Sequence, residues 1–189
     1  MPNATDTNQT LTAIDQYGCG LQITFDWQRD RFTRSISAVD AKRDVVLLAS
    51  LEGTNDDEWP LSPPLQSLAI EQREEGRQVA LLVGMAGRSH WSMSVESWPN
   101  EQTLVFDAAC RIHESPTMLG ATYQTMFAPS RLGSQSFDIG HECKFESAAM
   151  SDSAQSMVHE SEGRISLRID TNKASLPKTF RWQYTISRR

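Results

Sequence analysis

Nowhere in the 189-residue chain do apolar residues run on for the roughly 18 positions that a membrane-crossing helix requires, which excludes a helical span. Cysteine is scarce and odd in number: Cys19, Cys110 and Cys143 stand far apart, with no Cys-x-x-Cys pair. That spacing argues against a disulfide framework and points to reduced structural thiols in a reducing compartment, with one disulfide and a free thiol as the alternative. Positive charge is in deficit. A net charge of −6 argues against a general nucleic-acid binder, because the phosphate backbone demands a basic surface. The first residues lack the basic and apolar stretches of a secretion signal, so a cytoplasmic location is expected. Met1 to Thr12 reads as a disordered polar tail ahead of one domain over residues 13–189. Asn3-Ala4-Thr5 and Asn8-Gln9-Thr10 match glycosylation acceptors, which are idle without a secretory route.

What the chain does have is a two-residue alternation of apolar and polar side chains. Leu21, Ile23, Phe25 and Trp27 interleave with Gln22, Thr24, Asp26 and Gln28; Phe180, Trp182, Tyr184 and Ile186 interleave with Arg181, Gln183, Thr185 and Ser187. A period of two places successive side chains on opposite faces of a pleated strand. The pattern predicts an all-β domain of about ten antiparallel strands, as a two-sheet sandwich or a barrel. Gly20–Trp27 and Arg31–Val39 form a first hairpin. Val45–Leu51 follows, and then an irregular, proline-rich stretch from Gly53 to Pro64. Residues 63–75 fit either a helix capped by Ser62 or a strand ending at a Glu74-Glu75-Gly76 turn, and the strand is the favoured reading. Gln78–Met85 is apolar at both parities and is expected to be the most buried strand. Trp91, Met93 and Val95, then Leu104 to Ile112, mark two more strands. Ala121–Phe127 and His141–Ala149 are weaker candidates, Ser130–Ser136 a loop, and Ser151–Ser161 a mobile serine-rich segment. Ile165–Ile169 and Phe180–Ile186 are expected to close a last hairpin. From Glu160 onward seven basic side chains face three acidic ones, a local net of +4 that leaves −10 for the rest. Basic residues on a final hairpin serve to keep an edge strand from pairing, with an anionic partner as the alternative.

No catalytic signature is assembled. There is no Gly-x-Ser-x-Gly elbow. Asp56, Asp57 and Glu58 are neighbours on one loop rather than two carboxyls across a cleft. His113, His141 and His159 each precede a glutamate, but adjacent residues on a strand point apart. His141 and Cys143 would share a face, yet a zinc site needs three or four ligands and no second pair accompanies them. Neither a metal nor a cofactor is therefore expected. Gly84 to Ser89 is glycine-rich, contains Arg88 and precedes His90, but it leads into a strand rather than a helix, so a tight turn is expected in place of a phosphate loop. Of the five tryptophans, Trp27, Trp91 and Trp182 have core phasing, while Trp59 and Trp98 precede prolines at turns.

These residues point to a binding module for a small molecule or a protein partner, with Trp59, Arg88 and His90 as the candidate site if their loops share one end of the domain. An enzyme on a β scaffold using His90 as acid or base is the second expectation. A structural or homo-oligomer-forming module is the third, because β sandwiches and barrels host all three.

Overall fold

The computed structural model describes residues 8–54, 56–148, 156–172 and 175–189. Among them are fifteen strands: β1 (Asn8–Ile14), β2 (Gly20–Gln28), β3 (Arg31–Asp40), β4 (Arg43–Ser50), β5 (Ser67–Gln72), β6 (Gln78–Ala86), β7 (Ser89–Trp98), β8 (Thr103–Ile112), β9 (Gly120–Thr125), β10 (Ser130–Arg131), β11 (Ser136–Gly140), β12 (Cys143–Ala148), β13 (Ser156–Ser161), β14 (Arg164–Ile169) and β15 (Lys178–Arg188). They form two antiparallel sheets. One has seven strands in the order β1-β2-β3-β4-β9-β14-β13, and the other has eight in the order β10-β11-β12-β15-β8-β7-β6-β5. The architecture is a sandwich, not a closed barrel. Among the described residues no helix is long and apolar enough to cross a membrane.

The alternation read from the sequence sorts the side chains onto the two inner faces. Leu21, Ile23 and Phe25 of the first sheet and Leu104, Phe106, Ala108, Cys110 and Ile112 of the second are buried in one continuous core. Near its centre the ring of Tyr184 stacks between Phe106 (centroids 4.6 Å apart) and Phe145 (5.2 Å). Its hydroxyl meets that of Tyr123 from the opposite sheet at 2.6 Å. A buried hydroxyl without a partner would cost about 1–3 kcal/mol, so the pair satisfies both and links the sheets. Burial raises the pKa of each phenol, that of Tyr184 well above the ordinary value, so both stay protonated.

Four features depart from the sequence reading. The disordered tail assigned to residues 1–12 does not hold over residues 8–12. Asn8–Ile14 is a strand, paired in register with β2, with Leu11 and Ala13 fully buried; residues 1–7 lie outside the described ones, as do residues 151–155 of the serine-rich segment. Only Leu11 and Ala13 alternate in β1, with Ile14 out of phase, too few positions for the alternation to register against its threonines. The last hairpin does not form either. Strand β14 pairs with β9 and β13 in the first sheet, whereas β15 pairs with β8 and β12 in the second. Alternation identifies a strand but not its neighbour. The basic residues of that region are correspondingly dispersed, with Arg181 on Asp107, Arg189 on Asp138 and Arg188 donating to the Val39 carbonyl. Trp27 is 41% exposed despite its core phasing, because it lies at the end of β2, edge-on to Phe32. Finally, β6 is not the most buried strand: Leu81, Val83 and Met85 are 41, 55 and 47% exposed.

The favoured strand reading of 63–75 holds, as β5 followed by a short 3-10 turn in which Glu75 and Gly76 both take positive φ. Ser62 caps no helix. Its hydroxyl donates to the Thr122 carbonyl and accepts from the Thr122 amide. It thereby serves one main-chain position as a neighbouring strand would, and it pins the segment that carries the chain from the first sheet to the second.

Two arginines of β3 hold the same segment. Arg34 points inward and is fully buried; its Nη2 donates to Glu52 Oε1 at 3.0 Å and its Nη1 reaches the Pro63 carbonyl at 3.5 Å. Arg31 donates to the carbonyls of Glu52 (3.1 Å) and Thr54 (3.3 Å) and pairs with Asp30. Desolvation opposes the charge on Arg34 most strongly, but its pKa is raised, and the carboxylate of Glu52 is the countercharge that keeps the guanidinium charged. Removing one partner of such a pair strands the other charge in the core. Arg34→Met is therefore expected to lower the unfolding free energy by about 3–5 kcal/mol in urea titration. Adding Glu52→Leu should restore much of the loss, and a neutral single variant would refute the role given to the pair. Gly84 supplies a second check. A Cβ there would sit 1.9 Å from the Pro64 carbonyl oxygen. Gly84→Ala should cost at least the upper end of the about 1–3 kcal/mol typical of overpacking, whereas Met85→Ala on the exposed face should stay within about 0.5 kcal/mol.

Candidate functional site

The exposed face of β6 is one wall of a trough on the outside of the eight-stranded sheet. Strand pairing sets β6, β7, β8 and β15 side by side, so outward residues align across them: Val83 with Ser92, then Ala109; Leu81 with Ser94, then Asp107; Met85 with His90, then Arg111. Serine and alanine make a low floor over β7 and β8. Leu81, Val83 and Met85 stand along one side and Thr179 and Arg181 along the other, with Arg111 rising from β8 at one end. Three inter-strand spacings put the wall strands about 14 Å apart, and Leu81 to Met85 spans about 13 Å. Two hollows of about 590 and 670 Å³ share Ser67, Val83, Ser92 and Ala109, so together they form one continuous depression. Two further hollows are smaller, about 230 Å³ beside Met118 and Arg168 and about 210 Å³ between Asp30 and Glu52.

The electrostatics are one-sided. Arg181 is held bidentately by Asp107. Arg111 and its cross-strand neighbour His90 have no ion-pair partner among the described residues, and the other groups lining the trough are uncharged. An acidic chain thus carries an uncompensated cation at one end of an apolar groove.

Of the three residues singled out from sequence, the structure puts His90 in the trough, exposed on β7. Arg88 is exposed in the two-residue β6–β7 turn, at the trough's end but not in its lining. The tight turn expected within Gly84–Ser89 is Gly87-Arg88, because Ala86 and Ser89 are already paired. Trp59 is half-buried and packs against the core. Its loop does reach the same end, since a Cβ on Gly87 would lie 3.3 Å from Glu58 Cγ, but the indole covers the core. Trp98 ends β7 with the Arg77 guanidinium 4.6 Å over its ring.

Leu81, Val83, Met85 and Arg111 were missed. The one available signal was the doubly apolar run Val79-Ala80-Leu81-Leu82-Val83, which by itself does not say whether the second face is covered. The histidine–cysteine pairing fails on geometry: His141 lies in a positive-φ turn against Phe127, while Cys143 is buried on β12. No group of three metal-ligating side chains forms among the described residues.

The three thiols are free. Burial pushes Cys110 up to about 12 and Cys143 up to about 11, and both side chains sit in the core, whereas Cys19 is part-exposed. The thiolate is the reactive species. Alkylation of the native protein at pH 8 should therefore modify Cys19 alone, and all three should react in denaturant; intact-mass spectrometry reads the count. Early modification of Cys110 or Cys143 would contradict the packing described.

No family model, curated protein or solved structure matches this chain, and the assignment of a site rests on the trough itself.

Proposed function

We propose that the protein is a non-enzymatic binding module and that the trough is its binding surface, engaged by another macromolecule. The observation that carries this is the continuous exposure of Leu81, Val83 and Met85 over a small-residue floor. An antiparallel sheet with one wet face ordinarily turns polar side chains outward, and a contiguous exposed apolar stripe with a polar rim marks an interaction surface. Small-molecule sites enclose about 70–90% of their ligand. This groove is open along its length, which favours an extended partner over a metabolite. An acid–base role for His90 would need a second titratable group placed to exchange its proton. Its cross-strand neighbours are Met85 and Arg111, neither of which suits that task.

Photo-crosslinking tests the reading. A benzophenone amino acid at Val83 should yield covalent adducts in extracts of cells that make the protein, and Met85→Glu in the same chain should suppress them. The same probe at Ser35, on the outer face of the opposite sheet, should yield none. Equal labelling from both faces would remove the trough from consideration.

A further inference from the structure

The chemistry of the two walls says what kind of partner fits. Resting on the binding-module reading above, we infer that the occupant is a short acidic amphipathic segment of another protein, with its apolar side chains against Leu81, Val83 and Met85 and a carboxylate on Arg111. Charge complementarity is the ground for this choice. The ionic groups of the trough are the Arg181–Asp107 pair, which is internally balanced, and Arg111 with His90, which have no ion-pair partner among the described residues and no further carboxylate in the trough's lining. In a chain of net charge −6 the trough lining itself thus carries a cation at that end, while at the adjoining turn the exposed Arg88 is offset by Glu58, which lies against Gly87.

Arg111 also has hydroxyls for company. Thr179 is its register partner on β15, and Ser92 lies diagonally across on β7. A guanidinium beside hydroxyl donors recognises a carboxylate by charge-assisted hydrogen bonds, whereas a basic or neutral peptide would leave Arg111 unpaired on complex formation. The length, about 13 Å, takes about four extended residues or about nine helical ones. That is the scale of a linear motif rather than of a whole domain face.

Selection from a display library of random 12-residue peptides on the full-length protein tests the inference. Enriched peptides should combine Asp or Glu with large apolar residues, and fluorescence anisotropy should show their affinity falling about tenfold or more on Val83→Glu and on Arg111→Glu. Reselection on Arg111→Glu should shift the enrichment towards Lys and Arg, a reversal that a merely structural arginine would not produce. Circular dichroism of both variants checks that they fold, and Arg111 is exposed enough to carry the test alone should Val83→Glu not fold. Basic or uncharged peptides that still depend on Val83 would overturn the acidic occupant and leave the trough as binding surface. Peptides that bind Val83→Glu as well as the parent, or no enrichment above a blank support, would overturn the occupant, and in the first case the trough with it. A micromolar dimer in sedimentation that Val83→Glu dissociates would replace the peptide with a second copy of this chain.

Discussion

The buried pair of Arg34 and Glu52 lies where the chain leaves one sheet for the other, and the relation between the sheets depends on it. Strand β3 delivers the guanidinium into an otherwise apolar interior, and Glu52, just past β4, supplies the countercharge. The same guanidinium reaches Pro63, so both ends of the crossing segment are tied to one side chain. Ser62 completes the fastening by borrowing the Thr122 amide and carbonyl. A hydrophobic core is non-directional and would accept many ways of laying one sheet on another. A buried ion pair with fixed partners accepts few, and we see the Arg34 cluster as the element that selects this one.

That crossing also explains how the trough arises. Because the segment ends with the Gln66 amide donating to the Val83 carbonyl, β5 begins at the edge of β6 and is short. The side chain of Gln66 replaces ladder partners by bonding the Met85 amide and carbonyl. Backbone from Pro64 presses against Gly84 where no Cβ could be tolerated. The inner face of β6 is thus closely packed, and its outer face is left with large apolar side chains beside a low floor of serine and alanine. Tight packing on one side and an open groove on the other belong to one strand, which suits a rigid scaffold presenting a preformed surface.

The opposite sheet offers a contrast. Its outward positions on β2 and β3 include Gln22, Thr24, Thr33 and Ser35, polar groups that water solvates without help. The alternation there is clean, and the strands were placed correctly with their hairpin. On β6 the alternation is absent, since Val79 to Val83 is apolar throughout, and the same reasoning assigned burial to both faces. His90 was recognised as standing on an outward face, yet its neighbours Met85 and Arg111 come from two other strands, and no local pattern links the three. Trp59 shows the converse: a loop tryptophan that could have been an anchor is a cover, because its indole packs against the core.

What the sequence by itself determined is therefore the class of fold and the inward register of its strands: a period of two, turns at polar and glycine positions, and one core built from the apolar parity. These are local consequences of backbone pleating and of hydrophobic burial, which act on each segment wherever it ends up. What only the tertiary structure decided is which strands are neighbours. Strand β14 went to one sheet and β15 to the other, β1 joined an edge, and β6 came to lie beside small-residue strands that leave its second face uncovered. Pairing between distant segments is a choice among many patterned alternatives, settled by the packing of the whole core, and the candidate site is a product of that choice.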